Sequence, residues 1–241
     1  MSSLIYKTRA KVGRLISGVP ASSFIETLPA ESRDIVTRVQ PFSMTSPERL
    51  AAFVDAMRYV DRRGLAGAVV ECGVWKGGSS MAGMLASDKS RDFYLYDTYD
   101  GMSVPTEADV DKDGLSAASL LATADKQDLI WARSEYGDVV ENVRSTGYPM
   151  DRVHFVQGKV EETIPGVMRD QIAILRLDTD WYESTRHELN HLFPKLVTGG
   201  VLIIDDYGHW DGARRAVDEY FSADPILLNR IDYTGRIAIK V

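Results

Sequence analysis

Ile172-Ala173-Ile174-Leu175-Arg176-Leu177 runs into Asp178-Thr179-Asp180, and Gly200-Val201-Leu202-Ile203-Ile204 runs into Asp205-Asp206. Short aliphatic runs bounded by turn signals are the pattern of strands buried on both faces of a parallel sheet. In open α/β sheets, ligands bind outside the carboxyl ends of such strands. Asp178, Asp205 and Asp206 therefore stand where ligands bind. Acidic residues after strands often cap the next helix. Capping accounts for one Asp at each place but not for the adjacent pair. Three carboxylates at one sheet edge repel one another unless a cation neutralises them, and hard oxygen ligands favour Mg²⁺, Ca²⁺ or Mn²⁺.

The same alternation recurs outward from these two runs. Ser46 is placed to cap a helix that starts at Pro47, with Leu50, Phe53, Val54, Met57 and Val60 at helical spacing. Residues 68–72 read as a strand, followed by a glycine-rich turn and a helix at 79–86. Residues 93–96 are the next strand, ending at Asp97. A polar loop at 98–115 leads to helical stretches at 116–133 and 135–145. A strand at 152–157, Gly158 and a short helix at 160–169 precede the two Asp-terminated strands. Between those two lies a helix containing Leu189, Leu192 and Phe193. A helix at 211–222 and strands near 226–231 and 235–241 close the chain. Strands alternating with helices imply a doubly wound, mostly parallel α/β sheet, with antiparallel pairing at its C-terminal end. Residues 1–45, carrying Lys7, Arg9, Lys11 and Arg14 and then Pro20, Pro29 and Pro41, form an N-terminal extension. It is expected to pack on the body or on a neighbouring subunit. The domain proper spans 46–241.

At 241 residues the chain can bury a substantial core. A net charge of −7 argues against nucleic acid as the main partner. No apolar run is long enough to cross a bilayer, and the first residues lack the apolar core of a signal peptide. The single cysteine, Cys72, permits no intrachain disulfide. This fits a reducing cytoplasm. Cys72 itself reads as a small buried hydrophobe.

The turn after the first strand, Glu71-Cys72-Gly73-Val74-Trp75-Lys76-Gly77-Gly78-Ser79-Ser80, lets the backbone approach a ligand closely, although it lacks the dinucleotide spacing. Glu71 at the strand end can accept from, or pair with, a cationic ligand group. Asp97 is placed to receive the two hydroxyls of a ribose. His209 follows the Asp205-Asp206 pair and is a candidate base or metal ligand, or an exposed loop residue without a chemical role. His187 and His191, four apart on a helix, have a spacing that suits a metal; a solvated helix face is the favoured reading.

These segments resemble the macrocin O-methyltransferase family of class I S-adenosylmethionine-dependent methyltransferases over residues 42–222. The resemblance rests on Met44-Thr45-Ser46, on residues 70–79, on Tyr96-Asp97-Thr98-Tyr99-Asp100-Gly101-Met102, on Leu177-Asp178-Thr179-Asp180-Trp181-Tyr182, and on residues 199–208. It implies that Thr45 and the stretch Glu71, Gly73 to Ser79 hold the methionine end of the cofactor. Asp97 would hold its ribose, with Gly158, Val160 and Glu161 beside the adenine. It further implies Mg²⁺ on Asp178, Asp205 and Asp206, with Asp178 also facing the cofactor and acting as the base. The motif after the second strand departs from the usual Asp-Ser-Phe, reading Asp97-Thr98-Tyr99, which bears on the acceptor more than on the cofactor.

The implied reaction is methyl transfer to a sugar hydroxyl of a glycosylated natural product, as in antibiotic biosynthesis, by a homo-oligomer. Residues 98–145 are long for a connection and are expected to cover the acceptor as a lid. A metal-dependent enzyme methylating a catechol-like phenol, and a nucleoside-binding module without catalysis, are the alternatives. The three strand-end carboxylates speak against the second.

Overall fold

The computed structural model describes residues 21–167 and 171–241. Helices α1 (Ala21–Thr27), α2 (Ala30–Val39) and α3 (Pro47–Arg62) lead into strand β1 (Ala68–Cys72). Ser46 caps α3 as its sequence foretells, its Oγ accepting from Arg49 N at 3.2 Å. Helix α4 (Gly78–Ala86) and strand β2 (Phe93–Asp97) follow. Next come α5 (Ala117–Thr123), α6 (Tyr136–Arg144), β3 (Val153–Gln157) and α7 (Val160–Thr163). The chain then runs through β4 (Ile172–Leu177), α8 (Tyr182–Leu192), β5 (Leu196–Ile204) and α9 (Asp211–Tyr220). It ends with β6 (Asn229–Arg230) and β7 (Arg236–Ile239).

The seven strands form one sheet in the order β3-β2-β1-β4-β5-β7-β6. Its first five strands are parallel, and the C-terminal pair is antiparallel. Strand residues alternate between two apolar layers, because successive side chains point to opposite faces. Val69, Leu95, Ile174 and Ile203 pack against α2, α3 and α4 through Val36, Phe53, Met57 and Met81. Val70, Tyr94, Leu175 and Leu202 pack against Leu189, Leu192 and Val217 of α8 and α9. After β1 the chain winds outward to β2 and β3, then returns to β4 on the other side of β1. The β1–β4 boundary is thus the switch point where such sheets bind ligands.

Several boundaries differ from the sequence expectation. The helix expected over 116–133 stops at Thr123. Asp128 accepts from Asp125 N at 3.0 Å and Asp125 O accepts from Asp128 N at 2.8 Å, forming a local turn that competes with helix continuation. The strand expected near 226–231 shortens to Asn229–Arg230. The expected helix at 160–169 runs into residues 168–170, outside the described residues. Residues 1–20 of the extension also lie outside them. The later part of the extension belongs to the core, where Ile35, Val36 and Val39 are buried. Within 98–145, Val139 and Val143 of α6 are core residues too. Ser134 Oγ donates to Trp75 O at 2.7 Å and Asn142 Nδ2 to Lys76 O at 3.1 Å, tying this part to the glycine turn. Among the described residues, no helix is long and apolar enough to cross a membrane.

Candidate functional site

Parallel register aligns the strand ends in a row. Cys72 pairs with Tyr96 and Leu177, Leu177 with Ile204, and Asp97 with Gln157. The next residues therefore stand side by side: Gly158, Asp97, Gly73, Asp178 and Asp205. Backbone bonds continue the ladder into them, from Gly158 N to Asp97 O (3.0 Å), Asp178 N to Cys72 O (2.8 Å) and Asp205 N to Leu177 O (2.9 Å). Above this row opens a cavity of about 800 Å³, lined by Thr45, Gly73, Ser79, Asp97, Gly158, Val160, Asp178, Asp205, Asp206 and His209. The candidate cofactor, metal and base residues, with one exception, line this cleft.

The exception is Glu71. It is fully buried, and its carboxylate accepts from Ser79 Oγ at 2.6 Å, from Ser80 Oγ, and from Arg176 Nη1 at 2.6 Å. The Glu71 carboxylate, unlike the other candidates, is engaged by these partners and does not line the cleft. Its side chain points beneath the floor of the cleft, where it braces the turn and holds Arg176.

Gly73 is required by its surroundings. Its φ is +84°, and a Cβ there would lie 2.0 Å from the carbonyl oxygen of Asp178. Gly73→Ala is expected to lower stability by about 3 kcal/mol, combining backbone strain with a backbone clash. A urea unfolding curve with a lowered midpoint and unchanged slope would register this; a wild-type midpoint would refute it.

Asp97 organises two turns at once. Its Oδ2 accepts from Val74 N (2.7 Å) and Trp75 N (2.9 Å), and its Oδ1 from Tyr99 N (2.8 Å). The carboxylate still faces the cavity.

The ligand oxygens of Asp178, Asp205 and Asp206 lie within 4.8 Å of one another. Asp206 joins them because the chain leaves β5 after Ile204 and turns, with His209 N and Trp210 N both donating to Asp206 O. Gly208 serves this turn by close approach, since a Cβ there would lie 2.0 Å from Tyr233 O. Asp205 is held by Arg176 Nη2 at 2.6 Å, by Thr45 Oγ1 at 3.1 Å and by Arg49. Arg176 Nη1 also lies 2.8 Å from Asp178 Oδ2. Burial opposes the charge on Arg176, but Asp178, Glu71 and Asp206 outweigh it and keep it ionised.

Asp206 is the least compensated of the three. Among the described residues its buried Oδ2 has no hydrogen-bond partner. Burial, and then the neighbouring Asp180, push its carboxyl well above the ordinary range. Desolvation raises Asp178 to about 8 despite the opposing pull of Arg176, with Asp206 adding to the rise. Arg49 and Arg176 supply two positive charges against six carboxylates, those of Glu71, Asp178, Asp180, Asp205, Asp206 and Asp232. The all-oxygen donor set and the orphaned Asp206 oxygen fit a divalent cation.

His209 is buried, with Nδ1 3.3 Å from the Tyr233 hydroxyl. It is no exposed loop residue. His187 and His191 have rings 4.2 Å apart, but their nitrogens face the carbonyls of Ile164 and His187. Among the described residues no third ligand joins them.

Arg49, Arg176, Asp180 and Glu188 escaped the sequence reading. Arg176 carries a legible signal, being the one charge inside an aliphatic run. Arg49 carries none, because its partners Asp205 and Asp232 are 156 and 183 residues away.

Known proteins resemble the chain over most of its length. A family profile described as Macrocin-O-methyltransferase (TylF) matches residues 16–238. Demethyldecarbamoylnovobiocin O-methyltransferase of Streptomyces niveus is 31% identical over 203 residues, covering 83% of this chain and 74% of that protein. Mycinamicin III 3''-O-methyltransferase of Micromonospora griseorubida is 30% identical over 224 residues, covering 91% and 84%. The solved structure of the O-methyltransferase NovP has a TM-score of 0.71 and 28% identity, covering 83% of this chain and 82% of that one. Because the profile match runs through every strand end of the row, the chain belongs to the macrocin O-methyltransferase family of S-adenosylmethionine-dependent methyltransferases.

Proposed function

We propose that this enzyme methylates a sugar hydroxyl of a glycosylated natural product, with Asp178, Asp205 and Asp206 holding Mg²⁺ and Asp178 acting as the base. The observation that carries the reading is the convergence of these carboxylates on the same cleft as the glycine turn and Asp97. The two relatives that modify novobiocin and mycinamicin precursors by name support the acceptor class.

In this reading Gly73 and Ser79 admit the methionine portion of the cofactor close to the backbone. Thr45 closes over it, Asp97 accepts from the ribose hydroxyls, and Gly158 and Val160 flank the adenine. The acceptor lies on the side of Asp178, Asp205, Asp206 and His209. A divalent cation bound by the three aspartates supplies Lewis-acid polarisation of the acceptor hydroxyl. Asp178 takes the hydroxyl proton as the oxygen attacks the sulfonium methyl; the carbon–sulfur bond breaks and its electron pair stays on sulfur. Arg176 holds Asp178 and Asp205 in place from below. Much of the rate comes from fixing the two reactants in line. Residues 98–133 form the covering segment, contributing Met102, Leu129 and Ile130 to the cleft wall, while α6 stays anchored in the core. A homo-oligomer in the cytoplasm completes the proposal.

The test is methyl transfer from labelled cofactor to a panel of glycosides, with a catechol as the competing acceptor. Transfer to the catechol alone would replace the sugar reading with the phenol one. Cofactor binding by calorimetry without transfer to any acceptor would favour a binding module. In the same calorimeter Asp97→Ala is expected to weaken cofactor binding by roughly 1.5–3 kcal/mol, the worth of a hydrogen bond to a charged group. Unchanged affinity would remove Asp97 from the site.

A further inference from the structure

We propose that Glu188 is a positioning residue for the turn carrying Asp178 and Asp180, acting through the Thr179 hydroxyl; the inference rests on the methyl-transfer reading above. Glu188 sits between His187 and His191 on α8. The two histidines are half-buried on the outer side, whereas Glu188 is fully buried. Thr179 Oγ1 donates to Glu188 Oε1 at 2.9 Å.

A carboxyl inside an apolar layer is costly unless it makes a specific bond. Burial drives the Glu188 carboxyl well above its ordinary range, and the buried Cys72 thiol packs beside it. A protonated carboxyl still offers its carbonyl oxygen to the Thr179 hydroxyl.

The turn needs such a hold. Asp180 has φ +68°, a left-handed conformation that strains a non-glycine residue and persists only where neighbours over-determine it. Among the bonds that hold the turn are Asp178 N to Cys72 O (2.8 Å), Trp181 N to Thr179 O (2.8 Å), Ser184 Oγ to Thr179 O (3.4 Å), and Thr179 Oγ1 to Glu188 Oε1 (2.9 Å). The first two secure its ends through the backbone. The last joins two side chains, and it sits between the two aspartates that face the cleft.

Glu188→Met removes the acceptor while keeping an unbranched chain of similar bulk, Glu188→Gln keeps an acceptor oxygen, and Thr179→Val removes the donor. Glu188→Met is expected to lower kcat roughly tenfold or more, as for a small misplacement of reacting groups. KM and cofactor affinity should stay unchanged. Thr179→Val should match it, the double variant should be no worse than either single one, and Glu188→Gln should stay near wild type. Amide hydrogens of residues 178–181 should exchange faster in Glu188→Met and Thr179→Val but not in Glu188→Gln.

Wild-type kcat and exchange in Thr179→Val would overturn the proposal even if Glu188→Met failed to fold. Additive losses in the double variant, or a Glu188→Gln as slow as Glu188→Met, would overturn it as well. Should wild type transfer no methyl group to any acceptor, the functional reading fails, and exchange alone then decides the Glu188–Thr179 link.

Discussion

Asp178→Asn is expected to cut kcat by about 10²–10⁴-fold, the usual loss for a general base, while cofactor affinity stays near wild type. The amide keeps the shape of the carboxylate, so the turn from β4 to α8 is preserved. Arg176 retains Glu71 at 2.6 Å and Asp205 at 2.6 Å, so no buried charge is stranded. The variant should therefore melt as the wild type does. A single-turnover assay with saturating cofactor separates the chemical step from binding. Wild-type turnover would remove Asp178 as the base and leave His209, buried in the same cleft, as the better candidate.

Removing the metal should abolish transfer, and adding Mg²⁺ back should restore it. Asp206→Asn is the most informative ligand variant. Asp205→Asn would also break the pairs with Arg49 and Arg176 and lose about 3–5 kcal/mol of stability by leaving buried charge uncompensated. Among the described residues Asp206 has no such ion pair, and burial together with Asp180 already disfavours its charge. In chelator, Asp206→Asn should accordingly melt at or above the wild type. On adding Mg²⁺ the wild type should gain thermal stability by mass action, and the variant little or none. Full activity in chelator, with metal analysis finding no ion, would sink the metal reading. A variant that melts well below wild type in chelator would show that Asp206 is structural.

Much of this fold is local information. Alternation of aliphatic runs with helical periodicity identifies β1 to β5 and the main helices, because each strand is buried on both faces and each helix on one. The turn chemistry of Ser46-Pro47 sets the start of α3 without tertiary help. The helix that failed, over 116–133, failed where Asp125 and Asp128 bond to each other's backbone, a competition that apolar spacing does not register.

The sequence by itself determined which residues end up at the carboxyl edge, since Asp97, Asp178 and Asp205 each follow the last residue of a run that can only be a buried strand or, for Asp97, close it. Tertiary structure alone decided what those carboxylates meet. Arg49 reaches Asp205 from a helix far away in the chain, and Arg176 reaches Glu71 only because β1 and β4 pair in register. The physical reason is range. Hydrophobic periodicity and turn preference act over a few residues and are written in local order. The pairing of buried charges depends on strand order and register, which exist only once the sheet has formed.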